Sequence, residues 1–377
     1  MEVAPLGHVS TLRIGLLVDL AARKLGSLEM WLLGLAAESQ RRGHTLEILG
    51  REPLHPDLAR GFRNVGVGWT PVEQLSKHPL QSLVRLARRF DVLHLNLFAP
   101  RHPIALMAYA AWPARVLFVD HFSGPVDEEN GRNGGPRLGH VLLDRATLVR
   151  VAGLAGVSNY VRDRSVRRFG YPPAKACTIY NGVDLDRFRP DAELRGRSPD
   201  VRIMTVAYLI REKGVEYLLR AFAQLAAPNA RLVIVGDGPD EPRLRQLSDS
   251  LGITARTEFL GLRDDVPDLL RTAHVFVHPC LWQEACGLGV LEAMASGCAV
   301  VASRVGALPE IVTDGKTGLL VPPGDTAALA AALDRLLDDP LLQARLGGAA
   351  RDAAIARFGL QQCVAAHLDW CERSVRP

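Results

Sequence analysis

Aromatic residues make up only 6% of this 377-residue chain, and they do not interleave with a basic groove. With no recognition motif either, nucleic acid is not expected as a partner. Long apolar runs are also missing. The stretches 105–111 and 327–337 are broken by Pro or charge well before the roughly 20 residues a bilayer span requires. Met1-Glu2-Val3-Ala4-Pro5 lacks the basic segment and apolar core of a signal peptide, so a cytoplasmic chain is expected. Cysteine is scarce. Cys177, Cys280, Cys286, Cys298, Cys363 and Cys371 show no Cys-x-x-Cys or Cys/His metal spacing, and they read as reduced packing residues.

What is present is the balance of a globular protein: 48% hydrophobic and 23% charged residues. The length suggests two domains, each able to bury a core. Net charge is only +4 but unevenly spread. Residues 1–190 hold 25 Lys and Arg against 17 Asp and Glu, whereas the remainder is acidic, with 20 against 24. Arg85, Arg88 and Arg89, then Arg162, Arg164, Arg167 and Arg168, fall on expected helices. Solvated faces account for most of them, and peripheral contact with an anionic membrane through this basic half is the further option.

Short apolar runs alternate with helical patterns throughout. Strands are expected near 12–18, 45–49, 92–97, 116–119, 153–157 and 177–180, with helices at 28–41, 79–89 and 138–150. The pattern then restarts, with strands near 201–207, 232–235, 257–260, 275–278, 299–302 and 318–321, and helices at 215–226, 241–251, 287–296 and 326–337. Such alternation predicts an α/β chain of two Rossmann-like, doubly wound domains facing across a cleft. The expected domains are 1–185 and 186–358, with a last helix, about 359–377, packing back onto the first. The polar, aperiodic stretch 184–200 reads as a linker.

Glu284 and Glu292 stand with seven residues between them, after a buried run ending at Pro279. A helix beginning near Gly287 would place the N–H groups of Cys286, Gly287 and Leu288 at its N-terminus, where unpaired donors and the helix dipole attract phosphate oxygens. At about 1.5 Å rise per residue the second carboxylate would lie roughly 12 Å further along. Each carboxylate could then accept hydrogen bonds from hydroxyls at one end of an elongated ligand. Two solvated helix glutamates are the plain alternative, against which the flanking sequence weighs.

Taken together, residues 179–184 with Phe188, Lys213-Gly214, Val235-Gly236-Asp237-Gly238-Pro239, the two glutamates with Ala293-Met294-Ala295-Ser296-Gly297, and 315–322 resemble the retaining family-4 glycosyltransferases of the GT-B fold. Gly26-Ser27-Leu28-Glu29, Arg42-Gly43-His44, Asp91-Val92-Leu93-His94 and His121 match more loosely. The resemblance implies that Glu284 contacts the donor sugar, Glu292 the ribose of the nucleotide, and Lys213 the diphosphate, whose growing negative charge a cation would offset. It implies that His121 faces the transferred sugar and that Gly26 and Ser27 approach the diphosphate from the other domain. Two departures stand out. Tyr208 occupies the place of a family arginine, with Arg211 near enough in sequence to replace it, and Ser27 stands where two glycines are common.

Gly236-Asp237-Gly238 lacks the third glycine and the first-turn position of a dinucleotide fingerprint, so it reads as a turn lining the nucleotide. Leu262 falls where backbone groups hold the base. Asp120 and His94 read as companions of His121, and Asn96 and Asp19 equally as polar strand-end residues with no chemical role. Asp264 and Asp265 read as solvated turn residues, and by resemblance no metal and no cofactor are expected. The donor would be a UDP- or GDP-sugar, and hexose would pass to a hydroxyl acceptor with retention by front-face transfer. The enzyme alternative is a nucleotide-sugar 2-epimerase of the same fold. The other is a catalytically lapsed nucleotide-sugar binding or scaffold protein. Domain closure is expected to hinge at 181–189 and exclude water.

Overall fold

The computed structural model describes residues 11–21, 26–99, 102–124, 148–196 and 199–376. By internal contacts these fall into two units, one formed by 11–122, 148–180 and 361–376, the other by 123–124 and 181–360.

Seven parallel strands build the first unit: β1 (Arg13–Ala21), β2 (Thr45–Arg51), β3 (Gly68–Pro71), β4 (Val92–Asn96), β5 (Arg115–Asp120), β6 (Val151–Gly156) and β7 (Ala176–Thr178). They run in the order β3-β2-β1-β4-β5-β6-β7. The central strands are buried along nearly their whole length, as a sheet covered by helices on both faces requires. Leu17, Leu95, Phe98, Phe118 and Leu154 belong to its core. β3 was not expected, because a four-residue edge strand containing Gly68 and Pro71 carries too little alternation to register. The helix expected at 138–150 lies largely outside the described residues. The helix Leu360–Val375 belongs to this unit: Arg42 donates to Asp369 at 2.6 Å and to Glu372 at 3.0 Å, and His44 Nε2 lies 3.1 Å from Glu372.

The second unit carries β8 (Val201–Val206), β9 (Ala230–Val235), β10 (Thr257–Gly261), β11 (Val275–His278), β12 (Ala299–Ser303) and β13 (Leu319–Val321), ordered β10-β9-β8-β11-β12-β13 and all parallel. Val277, Val301 and the fully buried Phe222 lie in its core. A buried phenylalanine of this kind contributes roughly 3 kcal/mol. Residues 184–200 are more than a bare linker. They contain the helix Ala192–Gly196, and Arg195 donates to the carbonyls of Ser296 and Gly297 at 2.9 Å.

In both units the strand order reverses beside the first strand, between β1 and β4 and between β8 and β11. Loops leaving the carboxyl ends of strands on either side of such a reversal diverge, which leaves room for a ligand. All six cysteines are free, and five are buried. No described helix is long and apolar enough to cross a membrane. Several of the arginines in the basic half have carboxylate partners. Arg85 and Arg89 converge on Glu47 at 3.0 and 2.6 Å, and Arg164 turns toward Asp120 at 3.8 Å.

Candidate functional site

In the second unit the turns that leave β8 and β11 are stitched together. β8 gives way to a turn and then to a single 3₁₀ turn, Arg211–Lys213. Gly214 follows at φ +68°, and a Cβ there would lie 2.0 Å from the Pro279 carbonyl oxygen, so only glycine lets the two turns approach this closely. Leu281 N–H donates to the Glu212 carbonyl at 2.8 Å. This brings Lys213 Nζ to 2.7 Å from Glu284 Oε2.

Glu284 itself is buried, 8% exposed. Its other oxygen lies 3.4 Å from Ser123 Oγ, which in turn accepts from Ala285 N–H at 3.1 Å. His278 Nε2 donates to Oε2 at 3.3 Å, and Cys280 Sγ lies 3.6 Å away. Burial alone would raise the Glu284 pKa, but the His278 hydrogen bond and the Lys213 charge together hold it well below the usual carboxylate range. Burial likewise disfavours the Lys213 ammonium, yet Glu284 outweighs it and the lysine pKa is raised.

His278, Cys280 and Glu284 offer ligand atoms within 4.8 Å of one another, a spacing a soft divalent cation could use. Two features oppose that use. The Lys213 ammonium sits against the same carboxylate oxygen, and burial pushes the Cys280 thiol up to about 12, away from the thiolate a metal needs. The cluster serves better as a clamp on the ammonium. Sequence reasoning overlooked His278, Cys280 and Ser123. His278 ends a buried strand, as Asp120 before His121 does, and that shared placement was the available signal.

After the clamp the chain enters the helix Leu288–Ala295. Its N-cap, Gly287, has φ +73°, and a Cβ there would meet Leu308 Cδ2 at 2.7 Å. Val290 N–H and Leu291 N–H return to the Gly287 carbonyl, so the helix leaves its earlier N–H groups without intrahelical acceptors. Glu292 lies within this helix, half-buried, while Cys286 is buried with its thiol pushed up to about 12.

The remaining candidates of this unit gather near the β8 turn or stay exposed. The Gly236-Asp237-Gly238 turn packs on that turn: Leu209 N–H donates to the Asp237 carbonyl at 2.7 Å, and Gly236 N–H to the Gly261 carbonyl at 2.8 Å. Tyr208 and Leu262 project into solvent at 58% and 60% exposure. Arg211 is exposed and close enough to Asp240 to help lower its pKa, after the larger effect of Arg243. Asp265 pairs with Arg263 at 2.6 Å.

In the first unit Gly26 caps the helix Ser27–Arg41 in an extended conformation, and its N–H donates to Glu29 at 3.0 Å. Ser27 is buried. Asp19, near the end of β1, is bound by Arg51. His121 follows β5, half-buried, and its Nε2 lies 3.1 Å from Asn96 Oδ1. Asp120 is taken up locally, accepting from Ser165 Oγ at 2.5 Å and Phe122 N–H at 2.9 Å.

Residues 189–353 match the family model described as glycosyl transferases group 1, and residues 28–187 match glycosyltransferase family 4. The D-inositol 3-phosphate glycosyltransferase 2 of Catenulispora acidiphila is 31% identical over 396 residues, spanning 93% of this chain and 90% of that protein. A GDP-mannose-dependent alpha-(1-6)-phosphatidylinositol monomannoside mannosyltransferase of Mycolicibacterium smegmatis is 36% identical over 216 residues. That match covers 53% of this chain and 56% of the relative, little more than half its length. Among solved structures, Anabaena HepE in complex with UDP and glucose superimposes with a TM-score of 0.76 at 21% identity, covering 95% of this chain and 99% of HepE. That likeness is one of fold. With the sequence relatives and both family models, it places the chain among the family-4 glycosyltransferases of the GT-B fold.

Proposed function

We propose that this glycosyltransferase moves a hexose from a UDP- or GDP-sugar to a hydroxyl acceptor, with the anomeric configuration retained. The observation that carries the proposal is the Lys213–Glu284 pair at 2.7 Å, set where the strand order reverses and just before a helix N-terminus. A fixed cation, helix amides without intrahelical acceptors and an ionised carboxylate suit a diphosphate joined to a polyhydroxylated ring.

On this reading Lys213 and the N–H groups of Cys286, Gly287 and Leu288 hold the diphosphate, Glu284 the sugar hydroxyls and Glu292 the ribose. The Gly236–Gly238 turn and the Leu262 backbone border the nucleotide. Arg211, exposed after β8, takes the place of the cation missing at Tyr208. From the first unit, His121 serves the sugar, and Gly26 and Ser27 the diphosphate. No protein nucleophile and no metal enter the step. The bond from the anomeric carbon to phosphate breaks as the acceptor oxygen attacks from the same face, and a departing phosphate oxygen takes the acceptor proton. Relatives support a nucleotide donor, since the M. smegmatis protein is named for GDP-mannose and the HepE structure holds UDP.

A thermal-shift screen against UDP, GDP, ADP and their sugars identifies the base, because a ligand that binds the folded state raises its melting temperature. NMR of the product then reads the anomer, and an inverted linkage overturns the mechanism. Release of nucleotide with an altered sugar and no acceptor would identify an epimerase, while binding without turnover would identify a scaffold. Leu80 and Val84, exposed one turn apart on the helix that carries Arg88, support a secondary proposal of docking on anionic lipid. Liposome flotation with and without Leu80→Asp tests it.

A further inference from the structure

Three histidines and an asparagine form one continuous chain in the first unit, buried except at the half-buried His121. His121 Nε2 lies 3.1 Å from Asn96 Oδ1; Asn96 Nδ2 lies 2.7 Å from His94 Nδ1; His94 Nε2 lies 3.1 Å from His367 Nδ1. His94 and Asn96 sit on β4, and His367 comes from the helix Leu360–Val375. His94, Asn96 and His367 are each 2% exposed or less.

With the Asn96 amide oxygen turned toward His121 and its nitrogen toward His94, hydrogen-bond direction orders every proton along this chain. Asn96 Oδ1 can only accept, so His121 must carry its proton on Nε2. Asn96 Nδ2 can only donate, so His94 Nδ1 must be bare and its proton must lie on Nε2, where it donates to His367 Nδ1. Each imidazole is then neutral, with one tautomer. An added proton on His94 would set an N–H against the amide N–H. Burial agrees with neutrality: it pushes His94 down to about 3 and His121 to about 4, and holds His367 well below its usual value.

Aromatic packing holds the far end in place. Trp31 meets the His367 ring edge-on at 5.2 Å, and Trp370, one turn after His367, meets His94 at 5.7 Å and 86°. Trp370 reaches that position because Gly153 on β6 leaves space, a Cβ there falling 2.9 Å from the indole ring.

We infer that His367, His94 and Asn96 form a tautomer relay that fixes the His121 proton on Nε2 and leaves His121 Nδ1 as a hydrogen-bond acceptor. Among the described residues Nδ1 has no partner, so its lone pair is available to a ligand hydroxyl. Under the proposed function, on which this last step rests, His121 accepts from a hydroxyl of the transferred sugar. Asn96, His94 and His367 are positioning residues that act through it.

The experiment is ¹⁵N-histidine labelling of the full chain, with long-range ¹H–¹⁵N spectra read at pH 7. Protonated Nε2 and bare Nδ1 on all three histidines are expected. Protonated Nδ1 or mixed tautomers at His121 would overturn the relay, and this readout needs only the unaltered protein. Asn96→Asp should turn His94 to its Nδ1–H form while His121 keeps Nε2–H, because a carboxylate accepts from both sides. His367→Asn, whose amide oxygen can replace Nδ1 as acceptor, should keep the His121 tautomer. His367→Phe should mix the tautomers and lower kcat roughly tenfold with KM for the donor within about twofold. An unchanged His121 spectrum in His367→Phe would refute the relay. If the spectra are as stated but His121→Ala transfers at the full rate, the relay stands and the role given to His121 under the proposed function fails.

Discussion

Lys213 Nζ and Glu284 Oε2, 71 residues apart in sequence, lie 2.7 Å from each other, and both side chains are largely shielded from solvent. Removing one partner of such a pair leaves the other buried and unpaired. Lys213→Ala should therefore cost about 3 kcal/mol in urea denaturation, and Lys213→Ala with Glu284→Gln should cost less than the two single changes added together. Strict additivity would show that the pair does not couple.

Three histidines of the first unit set the response to acid. His94, His121 and His367 have folded pKa values below the 6.5 of an unfolded histidine. Below pH 6.5 the unfolded chain takes up protons that the folded chain refuses, so the stability they contribute is complete above that pH and is lost as pH falls toward 4. Each histidine accounts for on the order of 1 kcal/mol per pH unit in this window. Glu284, depressed as well, adds its loss below about pH 4.5. Melting temperatures should stay level from pH 7.5 to about 6.5 and then fall toward pH 4.5, less steeply in His367→Phe.

Gly214 is the tightest point of the clamp. Alanine there would be forced into a left-handed conformation with its Cβ 2.0 Å from the Pro279 oxygen. Gly214→Ala should destabilise by more than about 2 kcal/mol and separate Lys213 from Glu284. Calorimetry reads the first effect; loss of thermal stabilisation by UDP or GDP reads the second.

Tyr208 and Arg211 share one turn, and their charges differ. Arg211→Ala should weaken nucleotide-sugar binding roughly tenfold, whereas Tyr208→Phe should change it less than twofold, since a neutral hydroxyl contributes less to an anion than a guanidinium does. Titration calorimetry distinguishes them. Equal effects would mean that Arg211 has not taken over the missing cation's role.

Much of the architecture could be read from periodicity, because a parallel sheet writes its strands as short apolar runs. β11 was expected at 275–278 and occupies Val275–His278; the helix Pro79–Arg89 also falls at its expected residues. β3 escaped because its Trp69 and Thr70 are too few to form a pattern. The aperiodic stretch 184–200 hid a short helix and an arginine anchored on carbonyl groups, contacts that no local pattern encodes. At the site, Lys213 and Glu284 were visible as residue types in a motif, but the His278 hydrogen bond was not. The contact of Lys213 with Glu284 depends on two turns meeting through Gly214 and Leu281, and so on tertiary structure. The histidine chain was hidden for the same reason, since His94 and His367 are 273 positions apart.

The helix Leu360–Val375 leaves a translating ribosome after every residue of the second unit, although its place is in the first. Through most of synthesis, then, the early strands lack the piece that carries His367, Asp369 and Trp370, and apolar surface around β4 and β6 stays uncovered. The order of manufacture runs against the order of assembly. The unit whose strands are made before the second unit must wait for a segment made after it before its interior is closed.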